Sequence, residues 1–183
     1  MNLSILSLSA SEQSVGRACA HVLKEQFHSQ GHNVEMIDIR SLPPTWADNR
    51  GLAALPPQYA EVDATLRNSH AVVLVYPIYC YTASSAAKAI SEIFCKAFEK
   101  LPVGMIVAAG SLRSHLAAGD LMLSMMFEQG TVCYPKTVMA TKDDLDDGVP
   151  RQALTGRISA FASDFAHFAQ ALQAYRSAVQ AQS

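Results

Sequence analysis

Residues 71–98 read AVVLVYPIYCYTASSAAKAISEIFCKAF. The first six form an unbroken apolar run of strand length, rich in β-branched residues. At Pro77 the pattern changes to an aromatic, hydroxyl-bearing turn, and helical spacing opens after Ser84. A strand apolar toward both sides belongs to a sheet covered on both faces. In open sheets of that kind ligands sit beyond the carboxyl ends of the strands, so the turn at Pro77 is where chemistry is expected.

Working outward, residues 3–8 (LSILSL) predict a first strand that gives way to a small-residue turn, SASEQS, at 9–14. Val15, Cys19, Val22, Leu23 and Phe27 then recur on one helical face, with Ser14 as N-cap and Gly31 as stop. Such a helix start presents unpaired N–H groups and a positive dipole end. Serine hydroxyls beside it complete a phosphate cradle, unless Ser14 serves only as its own helix cap. Residues 33–39 (NVEMIDI) predict a second strand. The stretch 40–58 carries Pro43, Pro44, Pro56, Pro57 and the sole tryptophan, Trp46, and reads as either a hidden short helix or a functional flap. Tyr59, Val62 and Leu66 predict a short helix ahead of residue 71.

Downstream, Ala86, Ala87, Ile90, Ile93, Phe94, Ala97 and Phe98 mark a helix with a broad apolar surface, on which Lys88 and Glu92 stand four apart. A helix with more apolar surface than a sheet face covers often has a second partner, of which another subunit is one candidate. Residues 103–108 (VGMIVA) predict a fourth strand, Ala109-Gly110-Ser111 a turn, and 115–128 a helix apolar nearly all round that needs burial on two sides. A fifth strand at 131–140 contains Pro135, which places it at an edge or bulge. Asp143, Asp144, Asp146 and Asp147 lack the glycine and terminal glutamate of a calcium loop and predict a solvated acidic loop. Ile158, Phe161, Phe165, Phe168, Leu172 and Tyr175 line the last helix, and the polar tail 177–183 is expected to fray.

Five strands alternating with helices predict one α/β domain over residues 1–183: a three-layer sandwich around a five-stranded parallel sheet in the order 2-1-3-4-5. In that order the topological switch point lies between strands one and three, which brings the turns at 9–14 and 77–84 into one crevice.

Composition narrows the function. Fourteen basic against sixteen acidic side chains leave a formal charge of −2, too balanced for a nucleic-acid binder. No apolar run is long enough to span a membrane, and residues 1–4 lack a basic leader, so a cytoplasmic protein is expected. Cys19, Cys80, Cys95 and Cys133 stand far apart, which suggests neither a zinc site nor a disulfide framework. A receiver domain would need acidic residues after the first strand and an aspartate where Pro77 stands. A dinucleotide-binding domain would need GxGxxG where SASEQS stands, and a hydrolase would need a GxSxG elbow. What remains is a phosphate held by hydroxyls and backbone N–H groups beside an aromatic, backbone-rich turn, as flavin mononucleotide requires.

PIYCYTASSAAKAISEIF (77–94) resembles the pattern P-x-Y-x-x-S/T-x-S-G-x-L-K-x-x-I-D of the NADPH-dependent FMN reductases, a flavodoxin-like family. LPVGMIVAAGSLRSHLAAGD (101–120) is similar to the fourth strand, turn and helix start of the alkanesulfonate-type flavin reductases that serve two-component monooxygenases. The resemblance implies that Ser9, Ser11 and Ser14, with the backbone of Val15 and Gly16, hold the FMN phosphate. Pro77, Ile78, Tyr79, Cys80, Tyr81 and Thr82 would wrap the isoalloxazine edge, and Ala109, Gly110 and Ser111 would close the far side. It also implies a homodimer or homotetramer packed through the helix after Ser84.

Three departures stand out. Members carry G-S-x-R-x-x-S in the first turn, where this chain has SASEQS with Glu12 near the place of the arginine and Arg17 one helical turn further on. Ser85 or Ala86 replaces a glycine, and Leu121 stands where some relatives have tyrosine. The expected activity is hydride transfer from NADPH or NADH to FMN, with Arg113 or His115 facing the nicotinamide nucleotide and reduced flavin passing to a partner monooxygenase. No catalytic acid, base or metal is called for. The rival readings are a flavoprotein reductase of quinones, azo dyes or metal ions, a flavodoxin-like electron carrier, and a relative that has lost its flavin.

Overall fold

The computed structural model describes residues 1–48 and 50–180. Its strands are β1 (Asn2–Ser7), β2 (Asn33–Asp38), β3 (Ala71–Tyr79), β4 (Thr82–Ala83), β5 (Pro102–Ala108), β6 (Val132–Ala140), β7 (Leu145–Asp146) and β8 (Val149–Pro150). The helices are α1 (Val15–Ser29), α2 (Pro57–Arg67), α3 (Ser85–Ile93), α4 (Gly119–Gln129), α5 (Gln152–Ala171) and α6 (Gln173–Gln180). The main sheet runs β2-β1-β3-β5-β6, every neighbouring pair parallel. Counting only these long strands, that is the expected 2-1-3-4-5.

The period-two alternation of the strands sorts their side chains into two cores. Leu6, Leu74 and Tyr76 pack with Tyr59 of α2, Ile90 of α3 and Met125 of α4 on one face. Ile5, Val73 and Val75 pack with Leu23 and Phe27 of α1 and Phe165 of α5 on the other. β3 lies centrally and is buried along eight of its nine residues, which is why its sequence is continuous rather than alternating. Gly104 of β5 lets α5 approach closely, since a Cβ there would stand 2.8 Å from Phe161 Cζ and 3.0 Å from Phe165 Cε2. Those two rings stack at 5.7 Å between centroids.

Several expectations are corrected. β3 does not stop at Tyr76. It continues through Tyr79, pairing Pro77 with Ala108 of β5, and folds back so that Ile78 and Tyr79 face Ala83 and Thr82 of β4. The turn at Pro77 is therefore a β-hairpin. α3 ends at Ile93, and Phe94, Ala97 and Phe98 enter the chain's own core on irregular turns. The unburied apolar surface lies instead on α4 and the turn before it, where Leu112, Leu116, Leu123, Met126 and Phe127 are exposed. The fourth helix starts at Gly119 rather than 115, after a single turn at Leu112–Ser114.

Pro135 falls where the register of β6 against β5 shifts, at the edge of the sheet as expected. The acidic stretch is ordered by a capping box between Thr141 and Asp144 and by the β7–β8 hairpin. Asp144 also pairs with Arg157 of α5 at 2.5 Å, so this carboxylate joins two elements instead of facing solvent alone. Among its described residues the stretch 40–58 shares the helical turn Ile39–Ser41, contains the turn Leu52–Ala54 and runs into α2 at Pro57. Of the tail, 181–183 lie outside the described residues, and the part before them continues as α6.

Candidate functional site

A parallel sheet puts the carboxyl ends of its strands together, and three turns gather there. The first follows β1. Leu8 N–H donates to Val75 O of β3 at 2.8 Å, which ties the start of this turn to the neighbouring strand. Gly16, in the first turn of α1, lies over the ends of β3 and β5. A Cβ there would meet Val75 Cγ1 at 3.6 Å and Ala108 Cβ at 3.8 Å, so the small residue lets the helix start sit close to the sheet.

Within the first turn, Ser9 is buried and accepts from Ser11 N–H at 3.4 Å, while Ser14 caps α1 by accepting from Arg17 N–H at 3.1 Å. Each of these hydroxyls acts as acceptor in that bond and keeps its own proton for a further partner. Ser11 differs, because its hydroxyl donates to Gln13 O at 3.0 Å and is engaged within the turn. Among the described residues, the backbone N–H groups of Glu12, Gln13, Ser14, Val15 and Gly16 have no protein acceptor. Consecutive free N–H groups at the start of a fifteen-residue helix form an anion-binding nest with the dipole behind it. Glu12 is exposed, and the contact its backbone makes is through its carbonyl, with Arg17.

The second turn is the β3–β4 hairpin. Cys80 and Tyr81 occupy its two central positions with φ of 51° and 64°, the left-handed region that hairpins of this type require and that asparagine and glycine ordinarily supply. Pro77 and Ile78 are buried, whereas Tyr79, Cys80, Tyr81 and Thr82 are exposed. Ser84 N–H returns to Pro77 O at 3.1 Å, and Ser84 Oγ caps α3 by accepting from Ala87 N–H. The third turn follows β5. Ala109 N–H donates to Ala140 O at 2.9 Å; Gly110, Ser111, Arg113 and His115 are exposed beyond it. Tyr81 Oη donates to Arg113 O at 2.9 Å, and Thr82 Oγ1 contacts Asp120 Oδ2. The second and third turns are thus joined directly, and the first adjoins both through Val75, Ala108 and Gly16.

One cavity borders the hairpin, and a second lies between the 39–46 stretch and α3. The first, about 630 Å³, is lined by Tyr79, Thr82, Ser84, Lys88, Asp120 and Ser124. The second, about 420 Å³, is bordered by Ala10, Arg40, Pro43, Trp46, Ser85 and Ile90. The cysteines offer no buried nucleophile: desolvation, with the nearby Asp144 charge adding to it, pushes the Cys19 thiol up to about 12. No cluster of histidine, cysteine, aspartate or glutamate suited to a metal occurs among the described residues. No helix among them is long and apolar enough to cross a membrane.

Sequence reasoning did not find Asp38. This carboxylate ends β2 and lies between two arginines, 3.2 Å from Arg17 Nε and 2.7 Å from Arg40 Nη2. Burial raises its pKa, but the bonds from Arg40 and the field of Arg17 outweigh that effect and hold it below its ordinary value. It also missed Ser7, whose hydroxyl at the end of β1 is buried and has no partner among the described residues. The signal available for Asp38 was an Asp-x-Arg closing a predicted strand; Ser7 is indistinguishable in sequence from the other small residues of LSILSL.

This sheet order, with its turns collected at one end, defines the flavodoxin-like α/β proteins. The chain belongs to the NADPH-dependent FMN reductase family, whose sequence profile matches residues 1–144. Solved structures agree in fold. The apo form of the NADH:FMN oxidoreductase EMOB superposes with a TM-score of 0.76 at 15% identity over 90% of this chain and 87% of its own. An oxidoreductase from Corynebacterium diphtheriae gives 0.73 at 20% identity, covering 91% and 94%. The NAD(P)H:(acceptor) oxidoreductase FerB from Paracoccus denitrificans gives 0.72 at 15%, covering 92% and 97%. No curated protein sequence matches the chain.

Proposed function

We propose that the chain is an NAD(P)H:FMN oxidoreductase that binds FMN across the three turns and reduces it for release to a partner monooxygenase. The observation that carries this reading is the run of free N–H groups from Glu12 to Gly16, flanked by the available hydroxyl protons of Ser9 and Ser14. A phosphate dianion satisfies several such donors at once, whereas no described residue accepts from any of the five. Ser11 is left out of the first contacts, because its proton is engaged by Gln13.

The isoalloxazine would then lie along the hairpin, against Pro77, Ile78, Tyr79, Cys80, Tyr81 and Thr82, with Ala109, Gly110 and Ser111 on its other side. FMN supplies hydride acceptance from the C4 position of NADPH or NADH; the protein orients both nucleotides and limits water. Backbone N–H groups of the hairpin would favour negative charge on the ring. Arg113 and His115, exposed beside the Tyr81 anchor, would meet the phosphates of the nicotinamide nucleotide. The exposed apolar strip on α4, with Phe127 at 93% exposure, supports a homodimer or homotetramer built on that helix rather than on α3.

Anaerobic mixing of protein, FMN and NADPH or NADH tests the reading. Loss of the flavin's visible absorbance with many turnovers per protein is expected. Reduction of only one equivalent of bound flavin would identify a carrier, and turnover that appears only with a quinone or azo acceptor would move the activity to that class.

A further inference from the structure

Arg17 stands in the first turn of α1 with a side chain only 14% exposed, and its guanidinium faces backward onto the turn it follows. Nη1 donates to Glu12 O at 2.8 Å and Nη2 to Ser11 O at 2.6 Å, while Nε faces Asp38 Oδ2 at 3.2 Å. Ser11 Oγ holds the next carbonyl, that of Gln13. Three successive carbonyls of the turn are therefore fixed. The peptides are trans, and in a trans peptide the N–H points opposite to the C=O of the same unit. Pinning the carbonyls of Ser11, Glu12 and Gln13 consequently turns the N–H groups of Glu12, Gln13 and Ser14 away from the guanidinium and from Ser11 Oγ, and these are three of the five without an acceptor.

Without such a hold, a turn of small polar residues would sample conformations that hide its N–H groups, and a ligand would bear the cost of ordering it. Asp38 keeps the guanidinium in place from the end of β2 and is itself held by Arg40 through Nε and Nη2.

We infer that Arg17, braced by Asp38, is a positioning residue that preorganises the turn at 9–14 for a phosphate monoester, without itself being the phosphate's counter-charge. The inference rests on the reading of that turn as the FMN phosphate seat. A planar fork is required, because Nη1 and Nη2 hold two carbonyls at once while Nε, with no hydrogen-bond partner among the described residues, stands at ion-pair distance from the Asp38 carboxylate; lysine, with a single nitrogen, cannot span both carbonyls.

The test compares FMN with riboflavin, which carries the same ring and ribityl chain but no phosphate, using flavin fluorescence to obtain Kd for each on the full-length protein. Wild type is expected to bind FMN on the order of a hundredfold more tightly than riboflavin. In Arg17→Met that preference should fall about tenfold or more, with riboflavin affinity within about twofold of wild type. Arg17→Lys should resemble Arg17→Met, and Asp38→Asn should shift the ratio in the same direction by a smaller factor. Circular dichroism of each variant establishes that it is folded, and Asp38→Asn carries the test if Arg17→Met is not.

Full recovery of the preference by Arg17→Lys would overturn the inference, by showing that the positive charge itself is what matters. Equal weakening of both flavins, or a preference unchanged in Arg17→Met, would also overturn it while leaving the FMN reading intact. A wild-type protein that does not distinguish FMN from riboflavin would overturn both.

Discussion

Tyr81 Oη donates to the carbonyl of Arg113 at 2.9 Å, a bond that spans thirty-two positions of sequence and ties the β3–β4 hairpin to the turn after β5. It closes one side of the crevice in which the flavin ring is proposed to lie, and it fixes the backbone that carries Arg113 and His115. Tyr81→Phe removes the bond and leaves an exposed carbonyl that water can satisfy, so stability should fall by less than about 1 kcal/mol. The larger expected effect is a severalfold rise in KM for the nicotinamide nucleotide with kcat changed less, read from steady-state kinetics. An unchanged KM would show that the 109–115 turn does not meet that substrate.

The hairpin places two ordinary L-residues at positive φ, Cys80 at 51° and Tyr81 at 64°. A side chain in this region costs roughly 1–2 kcal/mol, and asparagine tolerates it better than cysteine. Cys80→Asn should therefore raise Tm by a few degrees and, because Cys80 borders the proposed ring site, change the KM for FMN more than kcat. Differential scanning calorimetry and the reductase assay check the two halves separately.

Much of this was legible in the chain. The run at 71–76 gave a central strand because only a strand buried on both faces remains apolar without alternation, and strand order followed from the alternation of strands with helices. The hairpin was hidden because its turn residues, Cys80 and Tyr81, are not those that normally announce one. The apolar residues after Ser84 were visible, but periodicity does not say whether Phe94 and Phe98 face a partner or fold into their own core, which they do. Asp38 escaped because half of its importance is spatial: Arg40 is two residues away in sequence, but Arg17 meets it only once β2 lies beside β1.

Gly104→Ala should be destabilising. The added Cβ would stand 2.8 Å from Phe161 Cζ and 3.0 Å from Phe165 Cε2, atoms of a buried stacked pair with little room to yield. Overpacking of this kind costs about 1–3 kcal/mol, to be measured as a shift of the urea midpoint at unchanged slope. A neutral substitution would mean that α5 can retreat from the sheet.

Acid should weaken the protein through two carboxylates. Burial raises Asp38, but Arg40 and Arg17 bring it below its ordinary 3.8. Burial likewise raises Asp144, but its bonds with Thr141 and Arg157 bring it below the same value. A depressed carboxylate contributes stability that is fully present above its unfolded pKa and is lost as pH falls through the lower folded value. Urea stability is therefore expected to lose these contributions below 3.8, with the loss shallower in Asp38→Asn and in Asp144→Asn.

Phe127, Leu123 and Met126 form an exposed apolar strip on α4. If that strip joins subunits, Phe127→Glu should shift the sedimentation profile toward monomer while leaving the far-ultraviolet circular dichroism unchanged. A wild-type protein that already sediments as a monomer at micromolar concentration would remove the assembly from the account.

The central claim is that one phosphate is held by the start of α1 while the flavin ring reaches the hairpin after β3. A crystal structure of the protein with FMN tests it most directly. The account predicts phosphate oxygens within about 3.2 Å of backbone nitrogens between Glu12 and Gly16, and the ring in contact with Tyr79 to Thr82. FMN bound with its phosphate elsewhere, or with its ring away from the hairpin, would contradict it.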